Sequence, residues 1–243
     1  MNHAPDDLAA WRKEQRRSLI ARREAVDRKT LDLWRRDMDV YLEYGFPGLA
    51  RGTLGICWPH RKEYDPRHLA AKLRQRGART ALPVVVRPRT PLIFREWHPG
   101  VKLAEGALGI PFPVESEEVT PDAVLVPLVG FDSAGYRLGY GGGFFDRTLA
   151  AMEKHPVTIG VGFELCRLES IFPQPHDIAM DYIVTERGIY GHERDKLVFL
   201  GAPRAGTASP LASPVCYAGE LEQTERPTHH PAASLADQRR NNR

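Results

Sequence analysis

The sequence predicts an α/β protein of three layers, with helices on both faces of a mostly parallel β-sheet. Six short apolar or β-branched runs, bounded by Gly, Pro or Asp, are typical of strands. A helical pattern, "DPRHLAAKLRQRGA", separates the first run from the second. Strand, helix and strand in succession favour βαβ units, whose strands lie parallel. The six runs are "TLGICW", "ALPVVV", "LIFREW", "AVLVPLVGF", "VTIGVGF" and "DYIVTE".

A helical N-terminal segment is predicted before the first strand, over residues 7–44. The stretch "LAAWRKEQRRSLIARREAV" contains neither Gly nor Pro, and Leu8, Trp11, Leu19 and Val26 form an approximate apolar stripe. A second helical stretch, "TLDLWRRDMDVYLEY", ends where a Gly and a Pro follow. The strands and helices therefore predict one α/β domain over residues 1–201.

The stretch over residues 202–243 differs in composition from the rest of the chain. It is rich in Ala, Pro, Ser and Thr and has no sustained apolar periodicity. Because little apolar surface is available to offset the entropy of ordering, we predict a disordered C-terminal tail.

The composition narrows the class of protein. Hydrophobic residues make up 42% of the 243, enough for a core, and the net charge of +3 is too small to indicate a nucleic-acid binder. No apolar run is long enough for a transmembrane helix, and the N-terminus lacks the apolar core of a signal peptide. Cys57, Cys166 and Cys216 are too few and too scattered for a disulfide framework or a zinc site. We expect a cytoplasmic monomer that binds a small molecule and neither nucleic acid nor membrane.

The stretch "RLGYGGGFFDR", Arg137 to Arg147, crowds four glycines between a predicted strand and a predicted helix. Backbone N–H groups at such a turn, together with the helix N-terminus, form an anion site. Arg137 would add a charge-assisted contact to phosphate, and Asp146 would hold a Mg²⁺ that bridges phosphates. The alternative is a tight structural loop with a capping aspartate, since the stretch fits neither the Walker nor the dinucleotide pattern.

The longer stretch "PLVGFDSAGYRLGYGGGFFDRTLA" resembles the signature of the 5-formyltetrahydrofolate cyclo-ligase (5,10-methenyltetrahydrofolate synthetase) family. Three further segments resemble the same family in the same order, over about residues 8–190. They are "GICWPHRKEYDPRHLAAKLRQRGARTALPVVV", "LIFREWHPGVKLAEGALGIPFP" and "FPQPHDIAMDYIVTERGIY".

The resemblance implies an enzyme that uses ATP and Mg²⁺ to convert 5-formyltetrahydrofolate to 5,10-methenyltetrahydrofolate, releasing ADP and phosphate. Phosphorylation of the formyl oxygen would create a good leaving group, and N10 of the folate would then close the ring. Two other classes remain open. A nucleotide- or folate-binding regulator with weak catalysis would bind without releasing ADP, and a basic RNA-associated protein would bind with an affinity that falls steeply with salt.

The resemblance also implies roles for individual residues. Arg137 and Tyr140 would be catalytic, and Asp146 and Asp177 would bind magnesium. The residues implied for ATP are Arg12, Arg16, Arg137, Leu138, Gly139, Tyr140, Gly141, Gly142, Gly143, Phe144 and Phe145. Those implied for folate, possibly polyglutamylated, are Trp58, Glu63, Tyr140, Gly141, Gly142, Gly143 and Phe144.

Each of these residues also has a simpler interpretation. Trp58 would be an ordinary core residue and Glu63 a surface turn acid, while Asp146 would cap a helix and Asp177 would form an Asx turn. The basic N-terminal face would be merely solvated; its residues are Arg12, Lys13, Arg16, Arg17, Arg22 and Arg23.

The register of that basic face is itself open: Arg12 and Arg16 lie at i and i+4 and so share a helix face, and Lys13 with Arg17 repeats this spacing. Phe144 and Phe145 stand where the family commonly has tyrosines, and some relatives carry a lysine at the position of Gly142. Both departures leave the exact contacts of the loop undefined.

Overall fold

The computed structural model describes residues 3–106 and 109–206, which form four α-helices and twelve β-strands. The helices are α1 (Leu8–Ala25), α2 (Arg28–Gly45), α3 (Arg67–Arg74) and α4 (Phe144–Ala151). The strands are β1 (Thr53–Gly55), β2 (Arg79–Val84), β3 (Ile93–Glu96), β4 (Leu103–Glu105), β5 (Pro111–Pro113), β6 (Ala123–Pro127), β7 (Gly130–Phe131), β8 (Arg137–Leu138), β9 (Val157–Val161), β10 (Tyr182–Thr185), β11 (Gly188–Glu193) and β12 (Lys196–Gly201).

The helical N-terminal segment consists of two helices, each begun by an aspartate. The Asp7 carboxylate accepts a hydrogen bond from the Ala10 amide at 2.9 Å, and Asp27 accepts one from the Thr30 amide at 3.0 Å. Such a side chain satisfies a first-turn N–H that has no partner within the helix, so Asp27 marks the start of α2. No helix within residues 3–106 and 109–206 combines the length and apolar character that a membrane crossing requires.

Eight strands form one sheet in the order β12–β11–β10–β9–β6–β1–β2–β3. The five strands from β10 to β2 run parallel. At one edge β3 pairs antiparallel with β2, and at the other edge β11 pairs antiparallel with β10 and β12 pairs antiparallel with β11. The mostly parallel sheet is therefore confirmed. The strand patterns did not predict the β11–β12 hairpin or the two-stranded pairs β4–β5 and β7–β8.

Helices cover both faces of the sheet, which confirms the three layers. On one face, Leu54 of β1 and the following Ile56 pack in the cluster that contains the apolar residues of α2 and α3. On the other face, Val124 and Val126 of β6 pack with Leu149 of α4. Because side chains alternate along a strand, the fully apolar β6 supplies both faces at once.

Helix α1 packs on segments that lie just beyond the carboxyl ends of β6 and β9. Its Leu19 and Ile20 are buried against four apolar residues of these segments. A Cβ at Gly130 would lie 2.7 Å from the Leu19 Cδ1 atom, so glycine is needed there for α1 to approach this closely. The four apolar residues are Val129, Leu138, Cys166 and Ile171.

The strand order leaves a crevice at the carboxyl ends of β1 and β6. From β1 the chain passes through α3 to β2 on one side of β1, whereas β6 pairs with its other side. The connections that leave β1 and β6 therefore diverge. In open α/β sheets, ligands bind in the crevice at this point of divergence.

The chain remains packed for a short distance beyond β12. Ala202 contacts the core cluster beneath α2, and Pro203 is buried, with its Cγ close to Gly45. The predicted disordered tail over residues 202–243 lies, from residue 207 onward, outside the described residues.

Removing residues 205–243 should leave the melting temperature unchanged, because their composition predicts no contribution to the core. Removing residues 202–243 should lower it by several degrees, since the loss of buried Pro203 and Ala202 costs about 1–2 kcal/mol. Thermal denaturation of the two truncated proteins and the full chain provides the comparison. An equally large loss in both truncations would show that residues beyond 204 support the domain.

Candidate functional site

A cavity of about 520 Å³ opens at the crevice between β1 and β6. Cys57 and Trp58, which follow β1, line one side, and Pro127, at the end of β6, lines another. All the residues implied for ATP, folate and magnesium line this one cavity. They are Arg12, Arg16, Trp58, Glu63, every residue from 137 to 145, Asp146 and Asp177.

The arginines of α1 reach the cavity from one face of the helix. Arg12 donates from Nη2 to the Asp177 carboxylate at 2.7 Å, and Arg16 donates from Nε to the Gly139 carbonyl at 2.7 Å. In the alternative register, Lys13 is exposed, and Arg17 is exposed and pairs with Glu14. The face that carries Arg12 and Arg16 is thus the one that lines the cavity.

The glycine loop, residues 139–143, joins β8 to α4 and requires left-handed backbone at two positions. Gly141 has φ +97° and Gly143 has φ +61°, conformations that side chains with a Cβ rarely adopt. A Cβ at Gly141 would also lie 3.3 Å from the Arg16 Cζ atom. Gly143 is the N-cap of α4 and supplies no side-chain acceptor, so the first amides of α4 remain available to an anion.

Arg147 holds this loop from within α4. It donates from Nη2 to the Gly142 carbonyl, and its Cζ lies 5.3 Å from the centre of the Phe144 ring. A Cβ at Gly142 would lie 2.8 Å from that ring. The glycine at 142 therefore fits the phenylalanine at 144, and a larger residue there would require the ring to move.

The two predicted magnesium-binding carboxylates lie on neighbouring parts of the cavity wall. Asp146 does not cap α4; it pairs with the Arg137 guanidinium at 3.0 Å and accepts a hydrogen bond from the Ile178 amide at 3.2 Å. Asp177, the residue before Ile178, pairs with Arg12. Burial acts to raise the pKa of Asp177, but hydrogen bonds from Arg12 and from the Gln174 amide outweigh it and hold that pKa below its usual value.

These carboxylates suit a hard cation that also binds phosphate. Within residues 3–106 and 109–206, no group of three or more His, Cys, Asp or Glu side chains is placed to hold a metal ion. Mg²⁺ usually takes only one or two carboxylates and completes its octahedron with water and substrate phosphates. Two aspartates beside an anion site therefore fit Mg²⁺ bound together with phosphate.

Glu63 lies deep in the cavity, with its side chain only 5% exposed, so it is not a surface turn acid. Its Oε2 accepts from the His60 amide at 3.0 Å, and its Oε1 accepts from the Tyr140 hydroxyl at 2.9 Å. Burial raises the pKa of Glu63, and the nearby Arg23 charge opposes that effect.

Trp58 is both a cavity residue and a partner of the core. One side of its ring is covered by the Arg67 guanidinium, whose Cζ lies 4.3 Å from the ring centre. Trp97 packs against it edge-on, with ring centres 6.5 Å apart. Further apolar side chains complete this wall: Leu82, Leu92, Ile110 and Phe112.

Arg23 is a site residue that the sequence patterns did not single out. In the sequence it is only one member of the basic N-terminal face, yet its guanidinium is buried and bonds to Tyr140. The signal that identifies it is spacing: Arg12, Arg16 and Arg23 stand at i, i+4 and i+11, which places them on one face of a helix. Leu19 and Ile20, between the last two arginines, are buried.

Comparison with known proteins gives one consistent family. Residues 49–186 match the model of the 5-formyltetrahydrofolate cyclo-ligase family. The chain is 36% identical over 153 residues to the 5-formyltetrahydrofolate cyclo-ligase of Escherichia coli K12, which covers 59% of this chain and 83% of that protein. It is 38% identical over 128 residues to the enzyme of the same name from Mycolicibacterium smegmatis, covering 48% of this chain and 65% of that one.

Solved structures give the same result. The Aquifex aeolicus 5,10-methenyltetrahydrofolate synthetase superposes with a TM-score of 0.64 at 27% identity, covering 73% of this chain and 91% of that chain. The Mycoplasma pneumoniae 5,10-methenyltetrahydrofolate synthetase, at 21% identity and a TM-score of 0.60, shares the fold. The matched residues 49–186 contain the loop after β1, the glycine loop and both aspartates, whereas α1 lies outside them. The chain is therefore an enzyme of the 5-formyltetrahydrofolate cyclo-ligase family.

Proposed function

We propose that this enzyme converts 5-formyltetrahydrofolate to 5,10-methenyltetrahydrofolate with ATP and Mg²⁺, releasing ADP and phosphate. One observation carries the proposal: a single cavity at the β1–β6 crevice is lined both by the arginines and glycine loop and by Trp58 and Glu63. A reaction that transfers a phosphoryl group from a nucleotide to a folate needs both groups of residues within reach of one reacting centre.

The chemistry requires the formyl oxygen to leave as part of a stable group. Water is a poor leaving group from a formamide carbon. Transfer of the γ-phosphoryl group to the formyl oxygen makes phosphate the leaving group. N10 can then bond to that carbon and release its proton to solvent as the carbon–oxygen bond breaks and phosphate departs. For phosphoryl transfer, a protein contributes mainly positioning and electrostatic stabilisation.

The phosphate side of the cavity is suited to that contribution. Arg12, Arg16 and Arg137 supply three guanidinium groups, and the open amides of α4 add further donors. Burial, together with the charge of Arg12, lowers the pKa of Arg16, which indicates that an anion near these side chains would be stabilised. Asp146 and Asp177 would hold Mg²⁺, which would neutralise phosphate charge when bound.

The folate side of the cavity is suited to form hydrogen bonds with the edge of a pterin ring and to stack on its face. A carboxylate has about four lone-pair sites, and Glu63 uses one for the His60 amide and one for Tyr140, so it retains acceptor sites for donors of a bound ring. Trp58 offers a flat apolar surface for stacking. Tyr140 is in the glycine loop and bonds to Glu63, so it would stand between the two substrates.

The direct test mixes the protein with Mg-ATP and 5-formyltetrahydrofolate and follows the absorbance of the methenyl product. Appearance of this product together with equal amounts of ADP supports the proposal. Binding of both molecules without product or ADP would instead identify a regulator, and would contradict the proposed reaction.

Gly141→Val should weaken ATP binding on the order of tenfold or more, because the new side chain meets Arg16 and forces the loop out of its left-handed conformation. The strain costs roughly 1–3 kcal/mol of stability by itself. Gly100→Val is the matched control, since Gly100 has φ +93° and a Cβ added there would meet no neighbouring atom within 4 Å. Equal ATP affinity in the two folded variants would mean that the glycines serve only the fold.

Arg16→Ala should raise KM for ATP by on the order of 10- to 100-fold, the effect of losing one charge-assisted hydrogen bond to phosphate. Arg17→Ala removes the same side chain one residue further along α1 and should leave KM unchanged, because Arg17 points to solvent and pairs with Glu14. Steady-state kinetics with varied ATP distinguishes the two. The reverse result would assign the phosphate contact to the Lys13–Arg17 register.

Asp146→Asn should lower turnover by on the order of 100-fold and raise the Mg²⁺ concentration needed for half-maximal rate, since a metal ligand contributes several kcal/mol. Asp39→Asn is the control for simple loss of an ion pair: Asp39 pairs with Arg35 away from the cavity, and its side chain is 18% exposed against 16% for Asp146. If Asp146→Asn loses only stability, as the control should, Asp146 has no role toward the metal.

A further inference from the structure

The Arg23 side chain is almost completely buried, although it carries a charge. Its exposed fraction is 1%. Nε donates to the Arg61 carbonyl at 3.0 Å, Nη1 donates to the Leu128 carbonyl at 3.1 Å, and Nη2 donates to the Tyr140 hydroxyl at 2.9 Å. A guanidinium is buried at acceptable cost only when its donors are satisfied in this way.

The Tyr140 hydroxyl links this buried charge to a buried carboxylate. It accepts from Arg23 and donates to Glu63 Oε1 at 2.9 Å, while Arg23 Nη2 itself lies 3.7 Å from that same oxygen. The three groups therefore form a continuous charged hydrogen-bond network. In such a network, each member restricts the position of the others.

The residues bound by Arg23 belong to three separate segments, each of which contributes residues to the cavity wall. Arg61 and Glu63 lie in the loop after β1, Leu128 directly follows β6, and Tyr140 is in the glycine loop. The first two segments leave the sheet at the point where its connections diverge. Arg23 joins both of them to the glycine loop from α1.

We propose that Arg23 is a positioning residue: through the Tyr140 hydroxyl, it fixes the folate-side carboxylate Glu63 and the glycine loop relative to each other. This inference rests on the proposed function. It means that Arg23, a residue outside the reacting centre, controls the distance between the two bound substrates. Binding of folate at Glu63 and binding of ATP at the glycine loop then depend on the same side chain.

A purely structural Arg23 would have different consequences. It would stabilise the packing of α1, and its replacement would lower the melting temperature without changing how each folded molecule binds its substrates. A positioning role requires the planar fork of donors, which lysine cannot reproduce even though it keeps the charge. Arg23→Lys is therefore the informative substitution.

Arg23→Lys should raise KM for both ATP and 5-formyltetrahydrofolate, each on the order of tenfold, as expected for lost hydrogen bonds to a charged group. Arg22→Lys is the matched control, because the neighbouring Arg22 is exposed and should tolerate the change in both parameters. Thermal denaturation of the same samples gives the folded fraction of each variant, so that the kinetics are compared between folded proteins. Unchanged KM values in folded Arg23→Lys overturn the proposal.

A double-mutant cycle with Tyr140→Phe tests the connection itself, and the Tyr140→Phe single variant covers the case in which Arg23→Lys does not fold. Tyr140→Phe removes only the linking hydroxyl and should raise both KM values; if it leaves them unchanged, the proposal fails. In the double variant, the two effects should combine to less than their product, because they break one network. Effects that multiply overturn the proposal. A wild-type chain that makes no methenyl product in this assay overturns the proposed function and this inference together, whereas an active wild type with unaffected variants overturns the inference alone.

Discussion

The cavity depends on the docking of α1 across the carboxyl ends of β6 and β9. Burial of Leu19 and Ile20 stabilises this contact by about 1.5–3 kcal/mol for each side chain. The contact also sets the rotation of the helix, and the rotation decides which basic residues face inward. Arg12 and Arg16 reach the cavity wall only because the apolar residues one turn further along are fixed on the segments beyond these strand ends.

Charge compensation is the second constraint on the cavity. Two of the arginines that face it are paired within the protein, Arg12 with Asp177 and Arg137 with Asp146. A buried pair contributes little net stability, but removing one partner leaves the other charge without compensation. The arrangement thus keeps the arginines proposed to bind phosphate in a partly buried site without a large cost in folding free energy. It also means that the arginine and aspartate sets are not independent of each other.

The fold class could be predicted from the sequence because parallel strands buried on both faces are continuous apolar runs, as β6 and β9 are. The β11–β12 hairpin was not predicted, since its connection contains no Gly, Asn or Pro and its outer strand has no fully buried residue. The glycine loop was recognisable because Gly141 and Gly143 require positive φ. Helical spacing places Arg23 on the face of Arg12 and Arg16, but its burial could not be predicted, because it depends on the carbonyl groups of residues 61 and 128, which only the tertiary structure brings near α1.

The attachment of α1 has a consequence for the order of folding. Arg12 and Asp177 are separated by 165 positions in the chain, and Arg12 and Ile171 by 159. Contacts of such long range carry a large loop-closure entropy and form slowly. During synthesis α1 leaves the ribosome before the rest of the domain, yet part of the surface it docks on, including Cys166, Ile171 and Asp177, is made late. We therefore expect the sheet to assemble before α1 docks, so that the cavity is completed in a late step of folding.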